Sequence, residues 1–295
     1  MINPAPPNPK LIELLVTPDT HLPLEYRKER NDMYCSQTGE SYKIENSVPI
    51  LLSSVDEMPG MDYRTHYHQD SELFDYFEKK TGATEHDERR VHEFILSCVP
   101  KNTASILDAG CGSAWAAKYC TPKGMFFCSM DISTINPTHA LSLYPSSNHA
   151  GLAADTFHLP FRDGSFDVVI ASEIIEHVVN PSAFVLELLR AIKPGGSLII
   201  TTPYKEVLKY SLCVHCNRPT PLHSHLHSFN EQMLAGYGAK KSRVQWKTFG
   251  NKALIFLRTY PLLRFFPFPL WKIIDMSANA VLNKRAHILA TYTKT

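Results

Sequence analysis

From Ser105 to Thr201 the chain alternates short, almost unbroken apolar runs with amphipathic stretches, and four of those runs end on an acid. The runs are Ser105–Leu107 before Asp108, Met125–Met130 before Asp131, Gly151–Ala154 before Asp155, and Phe166–Ala171 before Ser172-Glu173. A helix opening at Pro181, with Phe184, Leu188, Leu189 and Ile192 on one face, closes at Lys193-Pro194-Gly195-Gly196 ahead of a fifth run, Ser197–Thr201. Strands apolar on both faces and separated by helices predict a parallel sheet covered on each side. In such a sheet the ligand lies beyond the carboxyl ends of the strands, where the acids stand.

The first run leads into Gly110-Cys111-Gly112, and two glycines one residue apart let the chain turn sharply and let a ligand approach main-chain N–H groups. Read alone, this is a nucleotide-type loop or a plain tight turn. Trp115 takes the place of the third glycine of a dinucleotide fingerprint and would obstruct the helix–strand packing of a pyrophosphate site. Asp131, nineteen residues after Gly112, is placed to take ribose hydroxyls, a spacing that also fits a dinucleotide. A row of single carboxylates suits a ligand with hydroxyls, an amino group and a positive centre better than it suits phosphates.

Five segments in register, Leu107–Gly112, Met130–Ser133, Ala154–Phe161, Ser165–Val169 and Leu189–Gly196, resemble the class I S-adenosylmethionine-dependent methyltransferases. The resemblance implies an α/β, Rossmann-like, seven-stranded, mostly parallel sheet with an antiparallel last strand, preceded here by a small β-rich N-terminal extension. It implies S-adenosylmethionine as cofactor. Gly110 and Gly112 would pass under the methionyl part and Asp108 would help anchor it; Asp131 would grip the ribose, and Asp155 would meet the adenine amino group. Cys111, Ile132, Thr156 and Ser172 are carried over as neighbouring cofactor-binding positions. Ala114 departs from the commoner third glycine.

Methyl transfer is an in-line displacement that needs alignment and exclusion of water, and an oxygen acceptor must also lose its proton. Glu173, Glu176 and His177 follow the fourth strand at i, i+3 and i+4, one face of a helix. They are the expected catalytic residues. Their spelling is similar to the Glu-x-x-Glu-His of ubiquinone-type and small-RNA 2′-O-methyltransferases, which implies a divalent cation such as Mg2+. The plainer alternative leaves His177 facing substrate or simply packing. Cys213 and Cys216, followed by His223 and His225, form a candidate zinc set. It is similar to an insertion in a bacterial group of these enzymes, or else a substrate-covering loop with ordinary histidines; since His223–His227 follow His177 by fewer than sixty residues, the two sites could also share a histidine.

Residues 1–55 are expected as a leader resembling a small zinc ribbon. Thr17-Pro18-Asp19-Thr20 stands in for the first cysteine pair and Cys35 alone remains of the second, so the ribbon is expected to lack its metal; an unrelated β-rich leader is the alternative. Its Pro/Asn-rich start is read as mobile. Residues 56–103 read as a helical lead-in: Leu73, Phe74 and Phe77 share a face, as do Val91, Phe94, Ile95 and Cys98, and the charged run Glu85–Arg90 is expected in solvent. Residues 104–295 form the methyltransferase domain, with inserts at 204–228 (the zinc loop) and 250–285. Ser228-Phe229-Asn230-Glu231 reads as a capping box. Arg243–Thr248 and His287–Tyr292 read as closing strands around an apolar, proline-interrupted segment, Ala253–Leu282. This segment is expected as a lid over a lipid-like or aromatic acceptor, a peripheral membrane contact, core or a homodimer contact.

Thirty basic against 29 acidic residues exclude a strong nucleic-acid field. Seven scattered cysteines and no export signal or spanning run predict reduced thiols and a cytoplasmic location; Cys98 and Cys128 read as small core residues. The expected function is methyl transfer to a small-molecule or lipid-like acceptor, at oxygen. The alternatives are an RNA- or protein-directed methyltransferase and a cofactor-binding, non-catalytic module that recruits a partner.

Overall fold

The structure, a computed structural model, describes residues 6–55 and 62–295. The start at residues 1–5 and the junction 56–61 between leader and lead-in lie outside the described residues.

In chain order the leader contributes helix α1 (Pro9–Leu14) and strands β1 (Glu25–Arg27), β2 (Asp32–Tyr34), β3 (Ser41–Glu45) and β4 (Val48–Leu51). The lead-in is α2 (Tyr63–Leu73) and α3 (Gly82–Leu96). Then come β5 (Ser105–Ala109), α4 (Trp115–Cys120), β6 (Phe126–Asp131), α5 (Ile135–Leu143), β7 (His149–Ala154), β8 (Phe166–Ser172), α6 (Pro181–Arg190) and β9 (Ile192–Pro203). A hairpin β10 (Tyr210–Leu212) and β11 (Pro219–Pro221), α7 (Glu231–Gly236), β12 (Ser242–Asn251), helices α8 (Lys252–Phe256), α9 (Tyr260–Leu263) and α10 (Phe268–Leu282), and β13 (Arg285–Lys294) complete it.

The main sheet runs β1-β2-β3-β4-β7-β6-β5-β8-β9-β13-β12. Strands β5 to β9 are mutually parallel, and β13 lies antiparallel between β9 and β12, so the expected seven strands with an inverted last one are present. The leader is not set apart from them. Its last strand pairs parallel with β7, Ile50 opposite Ala153, and continues the sheet outward.

Alternation along the strands divides the core. Leu107, Met130, Val169 and Ile200 face one side, packed by α6 and by Leu11, Leu15, Met33 and Leu51 of the leader. Ile106, Phe127, Ile170 and Ile199 face the other, packed by Val91, Phe94 and Ile95 of α3 and Trp271 of α10. Cys128 is buried as expected and Cys98 half-buried. Where the leader resembles a ribbon, the Thr17 and Thr20 hydroxyls bond each other at 2.7 Å, and the Cys35 side chain is fully buried.

Several local expectations are corrected. Ile192 opens β9 instead of lining α6, because the helix ends at Arg190. The cap of α7 is Asn230, whose side chain accepts from the Met233 N–H; Ser228 lies two residues outside. Leu73 and Phe74 end α2 exposed, while Phe77 packs against His139, ring centres 4.0 Å apart and planes tilted by 39°. The charged run is not all in solvent. Arg90 is buried, donates to Glu93 and to the Leu263 and Phe266 carbonyls, and lies over the Trp271 ring, so it clasps the inserted helices to α3.

Candidate active site

Strand ends β5, β6, β7 and β8 bring Asp108, Asp131, Asp155 and Glu173 to one edge of the sheet, as the sequence implies. Gly110 and Cys111 both donate their N–H to the Met130 carbonyl at 2.8 Å, which folds the loop over β6. Gly110 has φ +77° and Gly112 φ +42°, backbone that favours glycine. Ala114 adopts the same left-handed region at φ +53° while fully buried, a strained place for a side chain. Trp115 then starts α4 and stacks on His92, ring centres 3.9 Å apart.

The acids differ in their partners. Asp131 accepts from the Gly112 N–H (3.3 Å), the Ser133 N–H and Asn136, with Ile132 beside it half-buried. Asp108 has a buried Oδ2 with no partner; burial, reinforced by Asp131, pushes its carboxyl up to about 8. That unpaired, buried oxygen beside a glycine cradle fits a cofactor carrying an ammonium or sulfonium charge. Ser172 shares a hydrogen bond with Thr201, and Thr156 follows Asp155 half-buried.

What the sequence did not signal is how thoroughly the lead-in covers this edge. The Tyr63 hydroxyl donates to Asp155 Oδ2, Arg64 Nε lies 3.4 Å from the same oxygen, and the Phe157 N–H takes Oδ1. A Cβ added to Gly110 would overlap Ile174, and one on Gly112 would lie 3.5 Å from the Tyr76 ring. The space that the resemblance assigns to adenosine and methionine is thus lined by Tyr63, Ile174 and Tyr76.

The expected helical face after β8 is corrected too. Glu173 has φ +54° and the next turn is a single 3-10 turn, Ile175–His177, so Glu173 does not share a face with Glu176 and His177. Instead Glu176 and His177 meet His225, their ligand atoms within 4.8 Å of one another. Each is oriented: Glu176 Oε2 accepts from Thr202 (3.0 Å), His177 Nδ1 faces the Ser224 carbonyl (3.3 Å), and His225 Nδ1 bonds Glu206 (2.6 Å). A carboxylate behind a histidine is the usual support of a metal-binding imidazole. Burial holds the Glu176 carboxyl well above its ordinary value and, with His225, brings His177 down to about 4.

His225 therefore belongs to this cluster and not to the cysteine pair. Cys213 and Cys216 sit in the turn of the β10–β11 hairpin, where the Cys213 N–H reaches the Arg218 carbonyl; Cys216 is exposed. Among the described residues, no group of three potential ligands includes either cysteine or His223.

Glu173 turns toward His287, a residue that the sequence reading missed. His287 Nε2 bonds Asp87 at 3.0 Å, and its Nδ1, buried and without a hydrogen-bond partner, lies 4.0 Å from Glu173 Oε2. Burial opposes charge on His287, but Asp87 and Glu173 outweigh it and raise its pKa. Asp87 and His287 are 200 residues apart, so no local spacing could have signalled the pair.

Residues 107–200 match the family model described as "Methyltransferase domain". A probable S-adenosylmethionine-dependent methyltransferase of Mycolicibacterium smegmatis is 30% identical over 118 residues, 39% of this chain and 44% of that protein. A ubiquinone biosynthesis O-methyltransferase of Rickettsia bellii is 37% identical over 98 residues, 33% of this chain and 41% of that protein. The chain thus spans less than half the length of these curated relatives. A solved putative S-adenosylmethionine dependent methyltransferase of Listeria monocytogenes superposes with a TM-score of 0.53 at 13% identity, over 71% of this chain and 98% of that one, a likeness of fold alone.

Proposed function

We propose that the protein is a class I S-adenosylmethionine-dependent methyltransferase that moves a methyl group from that cofactor to an oxygen of a small or lipid-like acceptor, a reading supported by the methyltransferase-domain match of residues 107–200. The observation that carries the reading is that one sheet edge bears both a glycine loop with the unpaired Asp108 carboxyl and, at the turn after β8, the Glu176–His177–His225 cluster. Asp108 would hold the positively charged methionyl end and Asp131 the ribose. The loop and the lead-in would exclude water from the sulfonium.

The donor set of one carboxylate and two imidazoles, supported by Thr202, Ser224 and Glu206, fits a divalent cation. Such a cation would supply Lewis-acid stabilisation of an alkoxide or phenoxide. In this reading His287, in its neutral form and held by Asp87 with its Nδ1 4.0 Å from Glu173, would take the acceptor's proton. An oxygen acceptor is further favoured by likeness to proteins described as ubiquinone biosynthesis and tocopherol O-methyltransferases.

Titration with S-adenosylmethionine and S-adenosylhomocysteine tests the first step; no measurable affinity for either refutes it. Label transfer into extract fractions identifies the acceptor. Elemental analysis should find a divalent metal that is lost in His225→Ala and kept in a Cys213→Ser, Cys216→Ser variant. The reverse pattern would move the metal to the hairpin.

A further inference from the structure

The inserted segment between β12 and β13 buries polar groups while leaving many large apolar side chains exposed. Helix α10 turns Trp271, Asp275 and Asn279 inward. Asp275 Oδ2 accepts from the Gly250 N–H and Asn279 Nδ2, both at 3.1 Å, and Asn251 donates to Asn279 Oδ1 at 2.9 Å. The buried side thus combines apolar packing by Phe268, Trp271 and Ile274 with a polar network, while Leu270, Ile273, Met276 and Val281 face outward, Ile273 61% and Val281 82% exposed. The neighbouring turns continue this surface with Phe256 (86% exposed), Leu257, Leu262 and Phe265 (71% exposed). A helix on a globular core normally keeps polar or charged residues on its outer face.

The segment is not loosely held. Arg90 binds the Leu263 and Phe266 carbonyls, and the Lys252 N–H reaches the Lys284 carbonyl at its base. It leaves the sheet after Asn251 and re-enters at Arg285, on the edge that carries the acids.

Its charge is one-sided. Residues 252–285 hold six basic residues, Lys252, Arg258, Arg264, Lys272, Lys284 and Arg285, and a single acid, the buried Asp275. Lys252, Arg258, Arg264 and Lys284 are exposed around the apolar face. In a chain of net charge +1 this is a local excess within the segment itself. Among the described residues no helix is long and apolar enough to cross a membrane, so the segment suits lying on a bilayer and not spanning one.

We infer that the α8–α10 face docks on an anionic lipid surface, its apolar side chains entering the headgroup boundary and its lysines and arginines meeting lipid phosphates. The occupant is a membrane and not a protein, because exposed apolar side chains interspersed with the segment's own lysines and arginines match a negatively charged lipid boundary; the neighbouring acids of α3, Glu85 and Glu93, are already paired with Arg89. The inference does not depend on methyl transfer, since docking is read without cofactor.

The test is co-sedimentation of the full chain with phosphatidylcholine vesicles and with vesicles that also contain phosphatidylglycerol. The protein should pellet with the anionic vesicles and be released by high salt. Phe256→Glu and Val281→Glu, at exposed positions in separate helices, should each reduce binding without changing the melting curve. Arg258→Glu with Arg264→Glu should reduce it on the order of tenfold or more. Failure to pellet with either vesicle overturns the inference, as does equal binding to neutral vesicles. A concentration-dependent dimer abolished by Val281→Glu, with no vesicle binding, would assign the face to a second copy of the chain and overturn it too.

Discussion

Replacing Tyr63 by Phe should tighten cofactor binding. The Tyr63 hydroxyl donates to Asp155 Oδ2, where the family pattern places the adenine amino group, while Oδ1 is taken by the Phe157 N–H at 2.9 Å. An incoming adenine must therefore displace the phenol or bind without its partner. Tyr63→Phe keeps the ring, its edge contact with Phe157 and the packing of α2, and removes only the competing donor. A hydrogen bond to an ionised group contributes about 1.5–3 kcal/mol, which sets the ceiling on the gain. Arg64 Nε stays 3.4 Å from the same oxygen and keeps part of that interaction, so the lower end, roughly tenfold in Kd, is expected. Calorimetric titration with S-adenosylhomocysteine, run on wild type, Tyr63→Phe and Tyr63→Phe/Asp155→Asn, measures it. The double variant should lose the gain, because the freed oxygen is what adenine uses. Unchanged or weaker affinity in Tyr63→Phe would refute the competition and make the tyrosine part of the bound state.

Ala114→Gly should raise thermal stability, since relieving a left-handed alanine recovers about 1–2 kcal/mol against a smaller entropic loss; a lower Tm would show that the methyl's packing outweighs the strain. The raised pKa of Asp108 means that the folded chain keeps a proton that the unfolded chain releases near 3.8. Stability should therefore fall as pH rises from about 4 to about 8, and Asp108→Asn should flatten that slope in denaturant melts. Arg90→Met should destabilise by about 1–3 kcal/mol by leaving the Leu263 and Phe266 carbonyls without their donor. Faster amide exchange in residues 252–284 than in α6 would be the sign that its clasp on the insertion is lost.

The parallel sheet and its row of acids were legible because each strand announces itself locally, as an apolar run closed by Asp108, Asp131 or Asp155. The Glu173–His177 stretch was misread in geometry for an equally local reason. Regular helical spacing does not anticipate a residue at φ +54° followed by one 3-10 turn. His225 joined the wrong group on paper because its sequence neighbours are cysteines, whereas Glu206 and the backbone after Ser224 direct it to Glu176. Arg90 looked solvated because its partners, two carbonyls and a tryptophan, lie more than 170 residues further on. Tyr63 on Asp155 belongs with these. Long-range pairing of single side chains leaves no periodicity to read.

The parallel pairing of β4 with β7 has a consequence for how the protein is made. Ile50 leaves the ribosome about 100 residues before its partner Ala153, which at 5–20 residues per second is a delay of roughly 5–20 s. During that interval the Val48–Leu51 strand is paired on one side only, with β3, and its other edge is an apolar segment able to pair with other nascent chains. Once residues 149–154 arrive, the first and middle thirds of the chain are stitched together before the closing strands are translated. A chain deprived of its leader would instead present the β7 edge bare, so the leader's contribution should show first in the yield of folded protein during synthesis.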